Sequence, residues 1–235
     1  MTIKMRNSFS EDHKNRIKHD MTSALSYTQR RESKHRAEMA LIERSLHSFS
    51  DVKTVLDAPC GVGRATVLMA QKGMKATGID LGEAAVYVAR KKAKEAGVNL
   101  EFQQGDITNL NFNDMTFDAV LCFRLYHHFP DDSSREPIIA ELCRVAQKYV
   151  LISYLSPYAF TSIKRSVRSL MGGKLSRQYT TKLGDLENKF NGHGFGLVRD
   201  IPQARFRHTL HLAIFKRSDK AGNEFCDVRS NSALK

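Results

Sequence analysis

The stretch Thr54–Thr66 reads TVLDAPCGVGRAT. A short apolar run, Val52 to Leu56, is followed by Asp57, then by a loop carrying Gly61 and Gly63, then by a helix-forming segment. Strand, tight turn and helix start are compressed into thirteen residues. Glycines let such a turn bring its backbone close to a ligand, and the helix start behind it offers unpaired amides to a phosphate or carboxylate. Which ligand is held depends on what lies further along the chain.

Outward from this turn the pattern repeats. Ala65 to Lys72 reads as a helix stopped by Gly73, and KATGID (75–80) as a second strand. Glu83 to Glu95 is a second helix ended by Gly97, NLEFQQGD (99–106) a third strand, and FDAVLCF (117–123) a fourth, buried one. Ser133 to Ala146 is a helix with Pro137 in its first turn, and YVLISY (149–154) is a fifth strand. Alternating strands and helices predict a doubly wound, Rossmann-like, mostly parallel α/β sheet with right-handed crossovers. The rhythm then breaks at an insertion, 156–178, followed by a helix from Lys182 to Phe190. FGLVRDI (195–201) and HTLHLAIFK (208–216) read as an antiparallel pair, giving seven strands with an antiparallel last one. Upstream, Ser23 to His47 carries a helical pattern. The expected organisation is an N-terminal helical cover (1–50), a main domain (51–217) with a lid insertion after strand five, and a disordered polar tail (218–235).

The composition narrows the setting. The chain has 235 residues, 41% of them hydrophobic, enough for one domain with a sizeable core. No apolar run reaches the ~18 residues of a spanning helix, and the first residues lack the apolar segment of a secretory signal. Cys60, Cys122, Cys143 and Cys226 are far apart and form no CxxC pair, so neither a zinc site nor a disulfide framework is expected. The reading is a reduced, cytoplasmic protein. The formal charge is +12, crowded into the first fifty residues and Lys164–Arg177. A solvated basic surface accounts for it, as does an anionic partner: nucleic acid, a membrane face or a phosphorylated substrate.

Ligands of a doubly wound sheet bind beyond the carboxyl ends of its strands. Asp57, Asp80 and Asp106 stand at three of the first four strand ends, with Cys122 to His128 after the fourth. A dinucleotide fits poorly. Its fingerprint needs G-x-G-x-x-G, but Thr66 replaces the third glycine, and Asp57 would face a pyrophosphate. S-adenosylmethionine gives every acid a partner. Asp57 can hold the loop amides and favour the cationic amino-acid end, and the Cys60–Gly63 turn and helix start suit its carboxylate. Asp80 can accept both ribose hydroxyls, and Asp106 the adenine amine. Asp57 is alternatively a helix N-cap, and Asp106 a cap of the ITNL turn.

VLDAPCGVGR, GIDLG, GDITNL and FDAVLCFRLYHHF, in this order and spacing, resemble the class I S-adenosylmethionine-dependent methyltransferases, in the branch that modifies quinones, lipids and natural products. The resemblance covers about Thr54 to Phe215. It implies a cofactor pocket of Asp57, Pro59, Cys60, Gly61, Gly63, Asp80, Leu81, Asp106, Ile107, Cys122 and Phe123, the Cys122 contribution being a backbone carbonyl. Pro59 stands where glycine is usual, and Arg124 where a small or amide residue is usual. Cys60 reads as a small buried loop residue rather than a nucleophile, and Tyr126 as packing.

Methyl transfer is an in-line attack, so positioning supplies much of the rate, and a base is needed only for an acceptor that must lose a proton. His127 and His128 are the candidate bases. The alternative is that the first lines the pocket and the second packs. In the insertion, Phe160, Ile163, Val167, Leu170 and Met171 fall on one helical face and Lys164, Arg165 and Arg168 largely on the other, with Gly172–Gly173 ending the helix. This reads as a lid, with membrane-surface contact through 158–173 as the sharper option. Tyr27, Arg30 and Arg31 are candidates to close over the cofactor. The expected acceptor is a small or lipid-like molecule, anionic in the sharper reading, methylated at O or N. RNA is the runner-up, although the Asn/Asp-Pro-Pro-aromatic motif is absent. A non-catalytic S-adenosylmethionine-binding protein is the alternative outside enzymes. The oligomeric state is not legible.

Overall fold

The computed structural model describes residues 32–49, 51–158, 178–204 and 209–218. The expected lid helix Phe160–Met171, the tail beyond Ser218 and residues Tyr27, Arg30 and Arg31 lie outside the described residues.

Seven strands form one sheet: β1 (Thr54–Asp57), β2 (Lys75–Asp80), β3 (Glu101–Gln104), β4 (Phe117–Cys122), β5 (Ala146–Leu155), β6 (Phe195–Pro202) and β7 (Leu210–Arg217). Their spatial order is β3-β2-β1-β4-β5-β7-β6. The first five pair in parallel, and β7 runs antiparallel to both β5 and β6. The order reverses between β1 and β4, so the crevice lies beyond the carboxyl ends of those two strands. This is the doubly wound sheet with an antiparallel last strand that the pattern predicts.

The helices are α1 (Glu32–Leu46), α2 (Arg64–Gln71), α3 (Glu83–Glu95), α4 (Asp132–Val145) and α5 (Leu183–Gly192). Apolar side chains on alternate residues of each central strand serve opposite faces, so each face has its own core. One face buries Leu41 and Ile42 of α1 and Ala65 and Met69 of α2 against Val55, Leu121, Leu151 and Leu212. The other buries Ile138, Ile139 and Leu142 of α4 and Leu186 and Phe190 of α5 against Val120, Val150, Ile152 and Phe215. Phe190 and Phe215 stack with centroids 4.0 Å apart.

Helix α4 corrects one detail. It starts at Asp132 because Asp131 caps it, accepting a hydrogen bond from the Ser134 amide at 2.9 Å. Pro137 therefore sits inside the helix rather than in its first turn. It is tolerated because both Pro137 and Ser133, whose carbonyl loses its partner, lie on the exposed side.

Candidate active site

The glycine loop is held from both neighbouring strands. The Ala58 amide donates to the Leu121 carbonyl of β4 at 2.9 Å, and the Cys60 amide to Ile79 of β2 at 2.7 Å. Gly61 and Gly63 adopt φ of +55° and +76°, a left-handed conformation that costs an ordinary residue about 1–2 kcal/mol. The two glycines do different work. A Cβ on Gly63 would come within 2.8 Å of the Ala89 Cβ, so Gly63 lets α2 and α3 pack closely. A Cβ on Gly61 would meet nothing within 4 Å, so that position faces open space.

The acids at the strand ends differ in their bonding. Asp80 closes the loop: Oδ2 accepts from the Gly61 amide at 2.8 Å and Oδ1 from the Gly82 amide at 2.9 Å. Asp57 is only 1% exposed, and its Oδ2 accepts from the Thr66 hydroxyl at 2.6 Å. The expectation that Asp57 holds the loop amides is corrected, because Asp80 and the Cys60 and Ile79 carbonyls take them. Asp57 Oδ1 has no hydrogen-bond partner among the described residues. Burial raises the Asp57 carboxyl to about 7, with the Thr66 hydroxyl opposing and the Asp80 charge adding to the shift. A buried carboxylate with a spare oxygen suits a cationic ligand. Asp106 caps its turn: Oδ1 accepts from the Thr108 amide at 2.9 Å and hydroxyl at 2.8 Å.

The remaining predicted pocket residues are spread around these. Pro59 and Leu81 are half-buried, and the Leu81 carbonyl accepts from Gln104 at 3.0 Å. Ile107 and Cys122 belong to the α4 face core, and Phe123 packs on the α1 face. Burial pushes the Cys60 and Cys122 thiols well above the usual range, with nearby Asp57 adding to it, which keeps both as neutral thiols. Tyr126 is fully buried beneath the Arg135 guanidinium, 4.7 Å from its ring centre. His127 and His128 form a short turn after β4 with ring centroids 4.3 Å apart. His127 is 1% exposed, and its carbonyl accepts from the Tyr179 amide at 2.8 Å. A separate cleft of about 740 Å³, lined by Met74, Lys75, Gly97 and Leu100 among others, opens at the amino ends of β2 and β3, away from these residues.

Two relationships escaped the sequence reading. Helix α1 reaches the site: Arg64, the first residue of α2, contacts His35, and Arg124 pairs with Glu38. At the same sheet edge His211 bonds Asp200. The α1 contacts join residues 29 and 86 apart in sequence, and the His211–Asp200 pair forms only across the antiparallel β6–β7 pairing, so no local pattern announces them.

Residues 55–148 match the family model described as a methyltransferase domain. That match spans β1 to the start of β5, the part of the chain that carries the glycine loop and Asp57, Asp80 and Asp106. It is 33% identical over 132 residues to a ubiquinone biosynthesis O-methyltransferase of Hahella chejuensis, and 33% over 133 residues to one of Pseudomonas fluorescens. These alignments cover 56% of this chain, and the chain spans about half the length of the curated relatives it matches, 52% and 53%. Among solved structures, magnesium protoporphyrin IX methyltransferase of Synechocystis with bound SAH superposes with a TM-score of 0.67 at 21% identity, over 77% of this chain and 84% of that one. A Pyrococcus horikoshii protein gives 0.66 at 20% identity, over 80% and 93%. Among the described residues no helix is long and apolar enough to cross a membrane.

Proposed function

We propose that this chain binds S-adenosylmethionine and transfers its methyl group to a small or lipid-like acceptor at O or N. The carrying observation is Asp80, whose two oxygens hold the Gly61 and Gly82 amides at the end of β2, beside a loop position that faces open space. In this reading Asp80 accepts the ribose hydroxyls. Asp57, with its unpartnered buried oxygen, favours the cationic end, and Asp106 takes the adenine amine through Oδ2. Pro59, Cys60, Gly61, Gly63, Leu81, Ile107, Cys122 and Phe123 complete the pocket. When bound, the cofactor supplies an electrophilic methyl, and the chain's part is to orient it and exclude water. An oxygen acceptor is supported by the relatives, which are named as O-methyltransferases of ubiquinone biosynthesis. A lipid-like, anionic acceptor and membrane contact through 158–173 are supported by the basic, apolar-striped sequence there; of those residues only Tyr158 is described.

A second reading, an RNA methyltransferase, draws on the net charge of +12. One experiment separates these. Calorimetry with S-adenosylmethionine and with NAD tests the cofactor, and NAD binding without S-adenosylmethionine binding would overturn the assignment. Methyl-labelled cofactor with cell extract, fractionated into lipid, RNA, protein and small-molecule pools, then reports the acceptor. Binding without label in any pool would leave a non-catalytic binding protein.

A further inference from the structure

Strands β5, β6 and β7 bring three chemistry-bearing side chains together at the carboxyl edge of β5. Tyr154, one residue before the end of β5, is in register with His211 of β7, and their ring centroids are 5.4 Å apart. His211 Nδ1 lies 2.7 Å from Asp200 Oδ2 on β6. Tyr154 is 1% exposed and belongs to the core on the α4 and α5 side. Burial, then the Asp200 charge, hold its hydroxyl well above the usual phenol range, so it keeps its proton beside the carboxylate. The His211 and Asp200 side chains remain 18% and 20% exposed.

The arrangement has the chemistry of an oriented base. A carboxylate at Nδ1 fixes the tautomer with the proton on that nitrogen and leaves Nε2 with a lone pair. The edge is the functional one. The Ser156 amide bonds the Thr209 carbonyl, the Thr181 amide bonds the Leu155 carbonyl, and the Tyr179 amide bonds the His127 carbonyl, so the turn after β4 and the start of β7 flank the same end of β5. His127 is enclosed at 1% exposure, whereas His211 retains an accessible side chain. Among the described residues, Arg44 of α1 also reaches this end of β6, donating to the Pro202 and Gln203 carbonyls at 3.0 and 3.3 Å.

We propose that His211, oriented by Asp200, is the general base that removes the proton from the methyl acceptor. This rests on the methyltransferase reading above. The acceptor O–H or N–H bond breaks and its proton passes to His211 Nε2. The electron pair left on the acceptor atom forms the bond to the methyl carbon, and the sulfonium departs as a neutral thioether. His211 then returns the proton to water. Asp200 acts through His211 and is a positioning residue.

The test uses the full chain labelled with ¹⁵N-histidine. At pH 8 the His211 spectrum should show a protonated Nδ1 and a bare Nε2, and D200N should abolish that fixed tautomer. A proton on Nε2 in the wild type would overturn the proposal. In parallel, label from methyl-labelled S-adenosylmethionine into cell extract is followed from pH 5.5 to 9. H211Q should lose about 10²-fold or more in rate and lose the acidic limb of the profile, with calorimetric S-adenosylmethionine affinity within about twofold of wild type. D200N should show the same flattening with a smaller loss. Cofactor binding and turnover with an unaltered H211Q profile would overturn this inference alone. No cofactor binding, or no label in any pool, would remove the methyltransferase reading and this inference with it.

Discussion

Glu38 of α1 and Arg124, two residues beyond β4, form a buried ion pair at 2.7 Å, with side chains 2% and 14% exposed. Arg124 adopts a φ of +62°, unusual for a residue with a side chain, and its amide donates to the Ser153 hydroxyl at 2.6 Å. The pair therefore ties the N-terminal helix to the loop between Cys122 and His127. It also gives the Arg124 guanidinium a partner on α1. Removing one partner of such a pair strands a buried charge, so E38A should lose about 3–5 kcal/mol in urea unfolding. E38A/R124A should lose less than the sum of the single losses, by more than about 1 kcal/mol. Additive losses would show that the two side chains are not coupled.

Asp57 gives the fold a pH signature. Its folded value, raised by burial to about 7, lies above the ordinary aspartate value of 3.8 that the unfolded chain keeps. Between those values the folded state binds a proton that the unfolded state does not, so stability falls as pH rises from about 4 to about 7. The slope from this group approaches 1.4 kcal/mol per pH unit at its steepest. The wild-type stability minus that of D57N, measured by urea unfolding from pH 5 to 8, should fall along this range and level off above it. A flat difference would remove the raised carboxyl. A cationic ligand favours the ionised form, so S-adenosylmethionine affinity should rise towards pH 7 in the wild type and lose that rise in D57N.

What could be read in the chain and what could not divide along the range of the interactions. The strand ends at Asp57, Asp80 and Asp106 were legible because each closes a local apolar run and precedes a turn. The helix stops at Gly73 and Gly97 were legible for the same reason. The carboxylate bonding was not. Whether Asp57 or Asp80 holds the Gly61 amide depends on the parallel register of β1 and β2, which places Asp57 opposite Gly78 and leaves Asp80 beyond it. Glu38 reads as one more charge on a polar helix until Arg124 is folded against it. Asp200 and His211 sit in two separate strand patterns, and only their antiparallel pairing makes them neighbours.

Asp118 anchors the opposite edge of the sheet. Its Oδ2 accepts from the Lys53 and Thr54 amides at 2.8 and 3.0 Å, and Lys148 lies 3.1 Å from its other oxygen. Burial alone would raise the carboxyl, but these amides and the ammonium outweigh it and hold the value at about 2. The folded value lies below the unfolded one, so the stabilisation is fully present above about pH 4 and is lost as pH falls towards 2. D118N should cost on the order of 1.5–3 kcal/mol at pH 7, the scale of hydrogen bonds to a charged group. The gap between mutant and wild type should close on acidification. A gap that persists at pH 2 would mean that packing rather than charge carries the effect.

The two loop glycines separate folding from binding. Both have positive φ, so alanine at either position meets about 1–2 kcal/mol of backbone strain. At Gly63 the new Cβ also collides with Ala89 at 2.8 Å and with the Phe102 ring at 3.1 Å, which adds overpacking of about 1–3 kcal/mol. At Gly61 it projects into open space, where a ligand would approach. G63A should therefore show the larger loss in urea unfolding, by about 1–3 kcal/mol. G61A should retain most of its stability and lose S-adenosylmethionine affinity by at least about tenfold, or about 1.4 kcal/mol. The same pair of measurements locates the ligand: if G61A binds S-adenosylmethionine as the wild type does, the open side of the loop is not where the cofactor lies.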